Sequence, residues 1–132
     1  MATIDRAPSE QQPILRRLVD FCLALERDGF ARLVTYHGTA NNWTLHPRLP
    51  ADGVSLVTIY NDRGTASLSF HRSVFERRAP ATLPRIERLA APTRVGQGTN
   101  TRAITEELLH GLTAAYQEAA TGVVSNGSSG AV

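Results

Sequence analysis

The chain has 132 residues, 42% of them hydrophobic and 20% charged, with a formal net charge of +2. This is the balance of one globular domain, and it excludes a disordered or collagen-like chain. The single cysteine, Cys22, can neither close an internal disulfide nor build a thiolate zinc site. No run approaches the roughly 18–20 apolar residues of a membrane span. The opening Met1-Ala-Thr-Ile-Asp lacks the apolar core of a signal peptide, so the sequence predicts a cytoplasmic protein without a membrane partner.

Residues 1–9 are polar and read as a flexible N-terminus. Ser9-Glu-Gln-Gln12 fits a capping box; alternatively Gln12 caps and Pro13 takes the first helical position. Ile14, Leu15, Leu18, Val19, Cys22 and Leu25 recur at helical spacing, which predicts a helix over 10–28 that stops at Gly29. The period then switches to two. Strands are expected over 30–37, 43–49, 54–60 and 65–71, separated by the turn-forming segments Gly38–Asn42, Pro50–Gly53 and Asn61–Gly64. Pro47 cannot donate to a ladder, so the second strand lies at an edge or ends early. Connections this short imply an antiparallel meander, with the first helix as the nearest cover for one face.

Helical patterning returns after His71. Ser73–Ala79 forms one short helix with Ser73 as cap, and Thr82–Ala91 a second, capped by Thr82. Residues 93–102 are a loop. Thr105 caps a last helix, with Glu106 and Glu107 in its first turn, where the helix dipole favours acids, and Gly122 ends it. Residues 123–132 read as a low-complexity, disordered tail. The expected fold is a single α+β domain over 10–122: an N-terminal helix, a four-stranded antiparallel sheet, two short helices and a C-terminal helix.

Charge distribution carries the strongest functional signal. All 14 basic residues are arginine. A GC-rich genome explains the absence of lysine but not the placement. Residues 63–102 hold eight arginines against Glu76 and Glu87, a local net charge of +6, while residues 1–62 sum to −1 and 103–132 to −3. Such a block suits nucleic-acid phosphates or an acidic surface; the bland alternative is a solvated face paired with carboxylates of the same chain. Arg72, Arg77, Arg78, Arg85 and Arg88 are the candidate contacts, set along one ridge. The first expectation is therefore a module that binds DNA or RNA. The second is an interaction domain that docks an acidic protein or a second copy of itself.

The third is a phosphate-ligand site in the loop Arg94-Val-Gly-Gln-Gly-Thr-Asn-Thr-Arg102, through Arg94, Gly96, Gly98, Thr99 and Arg102. Glycines let a backbone approach an anion, and a helix starts just beyond. The loop lacks the Gly-Lys-Ser/Thr ending of a P-loop and the third glycine of a dinucleotide fingerprint, and Glu106 and Glu107 would repel an anion at that helix start. Signatures of an enzyme are missing: there is no His-Glu-x-x-His and no Gly-x-Ser-x-Gly. Cys22 lies on an apolar stripe. His37, His46, His71 and His110 show no ligand spacing, so no metal, cofactor or catalytic residue is expected. Tyr36, Trp43, Tyr60 and His71 could stack on unpaired bases, but alternating aromatics are first of all core, and Tyr36, Trp43 and Phe70 are expected to fill it.

Overall fold

A computed structural model describes residues 7–38, 42–96 and 100–122. The order of elements is α1 (Gln12–Arg27), β1 (Arg32–His37), β2 (Trp43–Arg48), β3 (Val57–Asp62), β4 (Thr65–Phe70), α2 (Arg72–Arg78), α3 (Leu83–Ala90), β5 (Asn100–Thr101) and α4 (Glu106–Thr121). The expected α+β architecture is present, with a fifth strand added. The strands form one sheet in the order β1-β2-β3-β4-β5, every neighbouring pair antiparallel. β5 pairs Thr101 with Leu68 and Asn100 with Ser69; two polar residues inside a glycine-rich loop carry no strand signal of their own. The flexible ends expected over 1–9 and 123–132 fall mostly outside the described residues.

One face of the sheet is core. Trp43, Leu45, Ile59, Val57, Ala66, Leu68 and Phe70 alternate onto it and meet Leu15, Leu18, Phe21, Cys22 and Leu25 of α1 and Leu108, Leu112, Ala115 and Tyr116 of α4. Val74 and Phe75 of α2 and Leu83, Ile86 and Ala90 of α3 join the same cluster, with both helices packed against α4. Arg17 of α1 holds Glu106 of α4 with two parallel bonds of 2.8 and 2.9 Å. That pairing keeps the Glu106 carboxyl below the usual carboxylate range.

Caps follow the sequence in part. Thr105 Oγ1 accepts the Leu108 N–H at 3.1 Å, and Gly122 closes α4 in the left-handed conformation. α1, in contrast, starts after Gln11 with no side-chain cap. Gln11 instead accepts the Ala66 N–H of β4, and Gln12 donates to the Ala7 carbonyl, so these amides tie the chain start to the sheet. Ser73 lies inside α2, whose cap position is His71. Thr82 does precede α3, but its hydroxyl donates at 2.7 Å to Glu118, a carboxylate that also takes the N–H groups of Ala81 and Thr82. Thr82 thus stands at the cap position but caps nothing; Glu118 of α4 holds it and the residue before it instead.

The β2–β3 ladder runs from Trp43↔Asn61 to Leu45↔Ile59 and then breaks, resuming as a single bridge, Arg48↔Ser55. Pro47 has no N–H to offer in the gap. The Tyr116 hydroxyl fills it, donating to the Pro47 carbonyl at 2.7 Å and accepting the N–H groups of Leu56 and Val57. β3 consequently starts at Val57 and extends through Asn61 and Asp62, residues expected to be a turn. The turn is the pair Arg63-Gly64, both with positive φ (52° and 89°), the geometry that suits the twist of a two-residue hairpin.

Candidate functional site

The register of the strands fixes what the second face carries. Residues out of phase with the core positions are Val34 and Tyr36 on β1, Thr44, His46 and Arg48 on β2, Thr58, Tyr60 and Asp62 on β3, Ser67 and Ser69 on β4 and Asn100 on β5. Helices crowd the first face; among the described residues no helix covers this one, though Thr58 and Ser67 are buried in it. It is polar and aromatic. Tyr36 is 51% exposed. The expectation that it fills the core is overturned: β1 pairs with Trp43 through His37, which puts Tyr36 on the opposite side. Trp43 and Phe70 are buried as expected.

A small network orders the face. Arg48 Nη2 donates to the Tyr36 hydroxyl at 2.9 Å, and its guanidinium carbon sits 5.7 Å from the centre of the same ring. The His46 ring meets Tyr36 edge-on at 5.1 Å. His46 Nε2 lies 3.2 Å from Thr44 Oγ1, and His71 Nε2 lies 2.7 Å from Thr58 Oγ1. Which group donates in each pair follows the imidazole tautomer. Burial, then Arg48, then His71 hold the His46 imidazole below its ordinary pKa, and burial lowers that of His71. Both rings are therefore mostly neutral at pH 7, and they sit on either side of Thr58.

Two hollows adjoin on this face. One, of about 370 Å³, is lined by Tyr36, Thr44, Tyr60, Asp62, Ser67 and Asn100 among others. The second, of about 520 Å³, is lined by Tyr60, Ser69, His71, Arg72, Ser73 and Asn100. They share Tyr60 and Asn100, so a trough crosses all five strands and ends against α2. Each has the size of a small-ligand site.

The arginines singled out by sequence are dispersed. Arg72 donates to Glu76 at 3.2 Å, to Glu87 at 2.9 Å and to the Val95 carbonyl at 3.4 Å. Arg78, at the other end of α2, pairs with Asp52 and bonds the Ala119 carbonyl near the end of α4. Arg77 Nε folds back onto the Ser73 carbonyl at 3.3 Å. Arg85 is half-buried beside α4 and Arg88 is exposed on α3. Of the five, the structure brings only Arg72 to the trough. In the loop, Gly96 has φ +82° and lies so close to Arg72 that a Cβ there would collide with its Cβ. Arg94 is exposed in a hollow of about 540 Å³ beside Arg72 and Glu87, and Arg102 is exposed. Gly98 and Thr99 lie outside the described residues.

Sequence reasoning weighed Tyr36, Trp43, Tyr60 and His71 as a surface, of which Trp43 is buried, and did not place Thr44, His46, Arg48, Thr58 or Ser69 on it. The signal was present as period two: Thr44-Leu-His-Pro-Arg48 puts hydroxyl, imidazole and guanidinium on one side. The described residues contain no group of three or more His, Cys, Asp or Glu side chains placed to hold a metal ion, and no helix among them is long and apolar enough to cross a membrane. No family model, curated protein or solved structure matches the chain.

Proposed function

We propose that this protein is a small cytoplasmic module that binds single-stranded nucleic acid across the open sheet face. The observation that carries this reading is the sheet face that no described helix covers, where Tyr36, bonded to Arg48, and Tyr60 line two adjoining hollows. Unpaired bases stack on exposed aromatic rings whatever their sequence. Hydroxyl and amide groups at Thr44, Ser67, Ser69 and Asn100 offer donors and acceptors to base edges. Arg48 forms no ion pair among the described residues, and Arg72 stands at the α2 end of the trough to meet a phosphate. A duplex hides its base faces and cannot use the tyrosines, so the unpaired strand is the preferred form.

Fluorescence anisotropy with a labelled single strand and the matching duplex, at low and near-physiological salt, tests the reading. The single strand binds more tightly, and its affinity falls as salt rises. Tyr36→Ala and Tyr60→Ala each weaken binding by about 5- to 150-fold, the range of one lost stacking contact of about 1–3 kcal/mol. Absence of binding at low salt, or equal binding by the double tyrosine variant, removes nucleic acid and leaves the face to a protein partner.

A further inference from the structure

Two histidines share this face, each held by a threonine. β2 carries Thr44-Leu-His46 and β4 runs into Ser69-Phe-His71. In each, period two sets a hydroxyl and an imidazole on the same side. One step along from the Leu45↔Ile59 pair, His46 and Thr58 project from neighbouring strands onto the open face, and the His71 ring is bonded to Thr58. His46 and His71 therefore flank Thr58, which is 3% exposed beneath them. In both rings Nε2 is the atom held by a threonine, and among the described residues nothing is hydrogen-bonded to Nδ1. When Nε2–H donates to the threonine oxygen, a neutral ring presents an Nδ1 lone pair and a protonated ring presents an Nδ1–H. The same anchorage serves a base and an acid.

We infer that the open face cleaves the RNA it holds, with His46 and His71 as the general acid–base pair of an internal transphosphoesterification. This rests on the nucleic-acid reading and narrows it to strands that carry a ribose 2′-hydroxyl. The neutral imidazole takes the 2′-hydroxyl proton while that oxygen attacks the adjacent phosphorus. The O2′–P bond forms and the P–O5′ bond breaks. The protonated imidazole gives its proton to the departing 5′ oxygen. The products are a 2′,3′-cyclic phosphate and a 5′-hydroxyl, with no water, metal or other reactant consumed. Arg48, two residues from His46 on the same side of β2, supplies fixed positive charge for the phosphorane. Tyr36 and Tyr60 hold the flanking bases.

The groups around the pair favour one shared proton. His46 faces Arg48, Tyr36, Thr44 and His71. The hollow at His71 is lined by Tyr60, Ser69, Arg72, Ser73 and Asn100. Among the described residues no carboxylate bonds either ring; Glu76 and Glu87 are engaged by Arg72, and Asp62 lies at the far end of the trough, against Thr65. With like charges around it, the second proton binds less readily than the first, so the pair titrates in two separated steps with a singly protonated state between them.

The test uses two end-labelled strands, one all-deoxy and one with a single ribonucleotide in a deoxy background, incubated with EDTA from pH 4.5 to 8. The deoxy strand reports binding by anisotropy. The chimera reports cleavage, its product end by mass, and the pH profile. Cleavage at the ribonucleotide to a 2′,3′-cyclic phosphate, with a bell-shaped rate maximum below pH 7, is expected. Gln and Asn variants of His46 and of His71, checked for folding by thermal melting, slow it by about 100-fold or more. Binding of the deoxy strand without cleavage of the chimera overturns the inference and leaves the binding reading intact. Cleavage at an unchanged rate by the folded histidine variants, or cleavage of the deoxy strand, also overturns it. If neither strand binds and neither is cut, both readings fall together.

Discussion

Tyr116 joins β2 to β3 through Pro47: its hydroxyl, fully buried, donates to the Pro47 carbonyl at 2.7 Å and receives the N–H groups of Leu56 and Val57. Burial pushes the phenol far above its ordinary pKa, so it stays protonated and keeps donating at any pH the fold tolerates. A Tyr116→Phe variant leaves one carbonyl and two N–H groups unpaired inside the protein. The expected cost is about 1–3 kcal/mol, read as a lower urea midpoint with an unchanged slope. A midpoint within experimental scatter of wild type would show that water replaces the hydroxyl.

Glu118 makes the second buried polar junction, three bonds from one carboxylate on α4 to the start of α3. Glu118→Ala strips all three and is expected to lower stability by about 2–3 kcal/mol. Glu118→Gln keeps one acceptor oxygen and costs less. Hydrogen exchange at Ala81 and Thr82 locates the effect: both amides lose protection in the Ala variant before the sheet does.

The histidines set a pH dependence. His46 and His71 have folded-state pKa values below the ordinary 6.5 of an unfolded chain. Above that value both states leave them neutral, and they contribute nothing to the slope. As pH falls below it, the unfolded chain takes up protons first, so stability declines until the folded-state values are passed. Thermal melting between pH 7.5 and 5 therefore shows a falling midpoint, and His46→Gln/His71→Gln flattens that part of the profile. A wild-type midpoint that rises over this interval contradicts the assignment.

Cys22 lies in the core beneath α1, and burial pushes its thiol up to about 12. Reactivity belongs to the thiolate, so a thiol reagent at pH 8 labels the folded protein only through opening of α1. Labelling is slow in buffer and complete within the mixing time in urea. Rapid labelling of the native protein would mean that α1 detaches readily from the sheet.

The residues that revealed the fold in the sequence are those that follow local rules. Leu15, Leu18, Cys22 and Leu25 mark α1 because only a 3.6-residue period brings them together. The Thr105 cap and Gly122 stop bracket α4 for reasons internal to a few neighbouring residues. What stayed hidden depends on partners distant in the chain. β3 begins three residues later than its apolar run because Tyr116, about sixty positions on, takes the N–H groups of Leu56 and Val57. Thr82 stands at the cap position of α3, but its hydroxyl is taken by Glu118, thirty-six positions on. The candidate site was hidden for the same reason. An arginine count shows where cations are numerous in sequence, but Glu87 and Asp52 decide which of them stay available. The face that remained open is a matter of strand register, which pairs His46 with Val34 and sets Tyr36 outward.

At the outer margin of β1, the Leu33 N–H is taken by the Glu26 carboxylate at 3.1 Å. A strand from another molecule seeking to extend the sheet past β1 would have to displace a charged acceptor and leave it beside a new backbone. Glu26 thus acts as a stopper against edge-to-edge polymerisation, and its replacement by alanine should expose a growth point: light scattering from a concentrated Glu26→Ala solution rises with time, while the wild type stays clear.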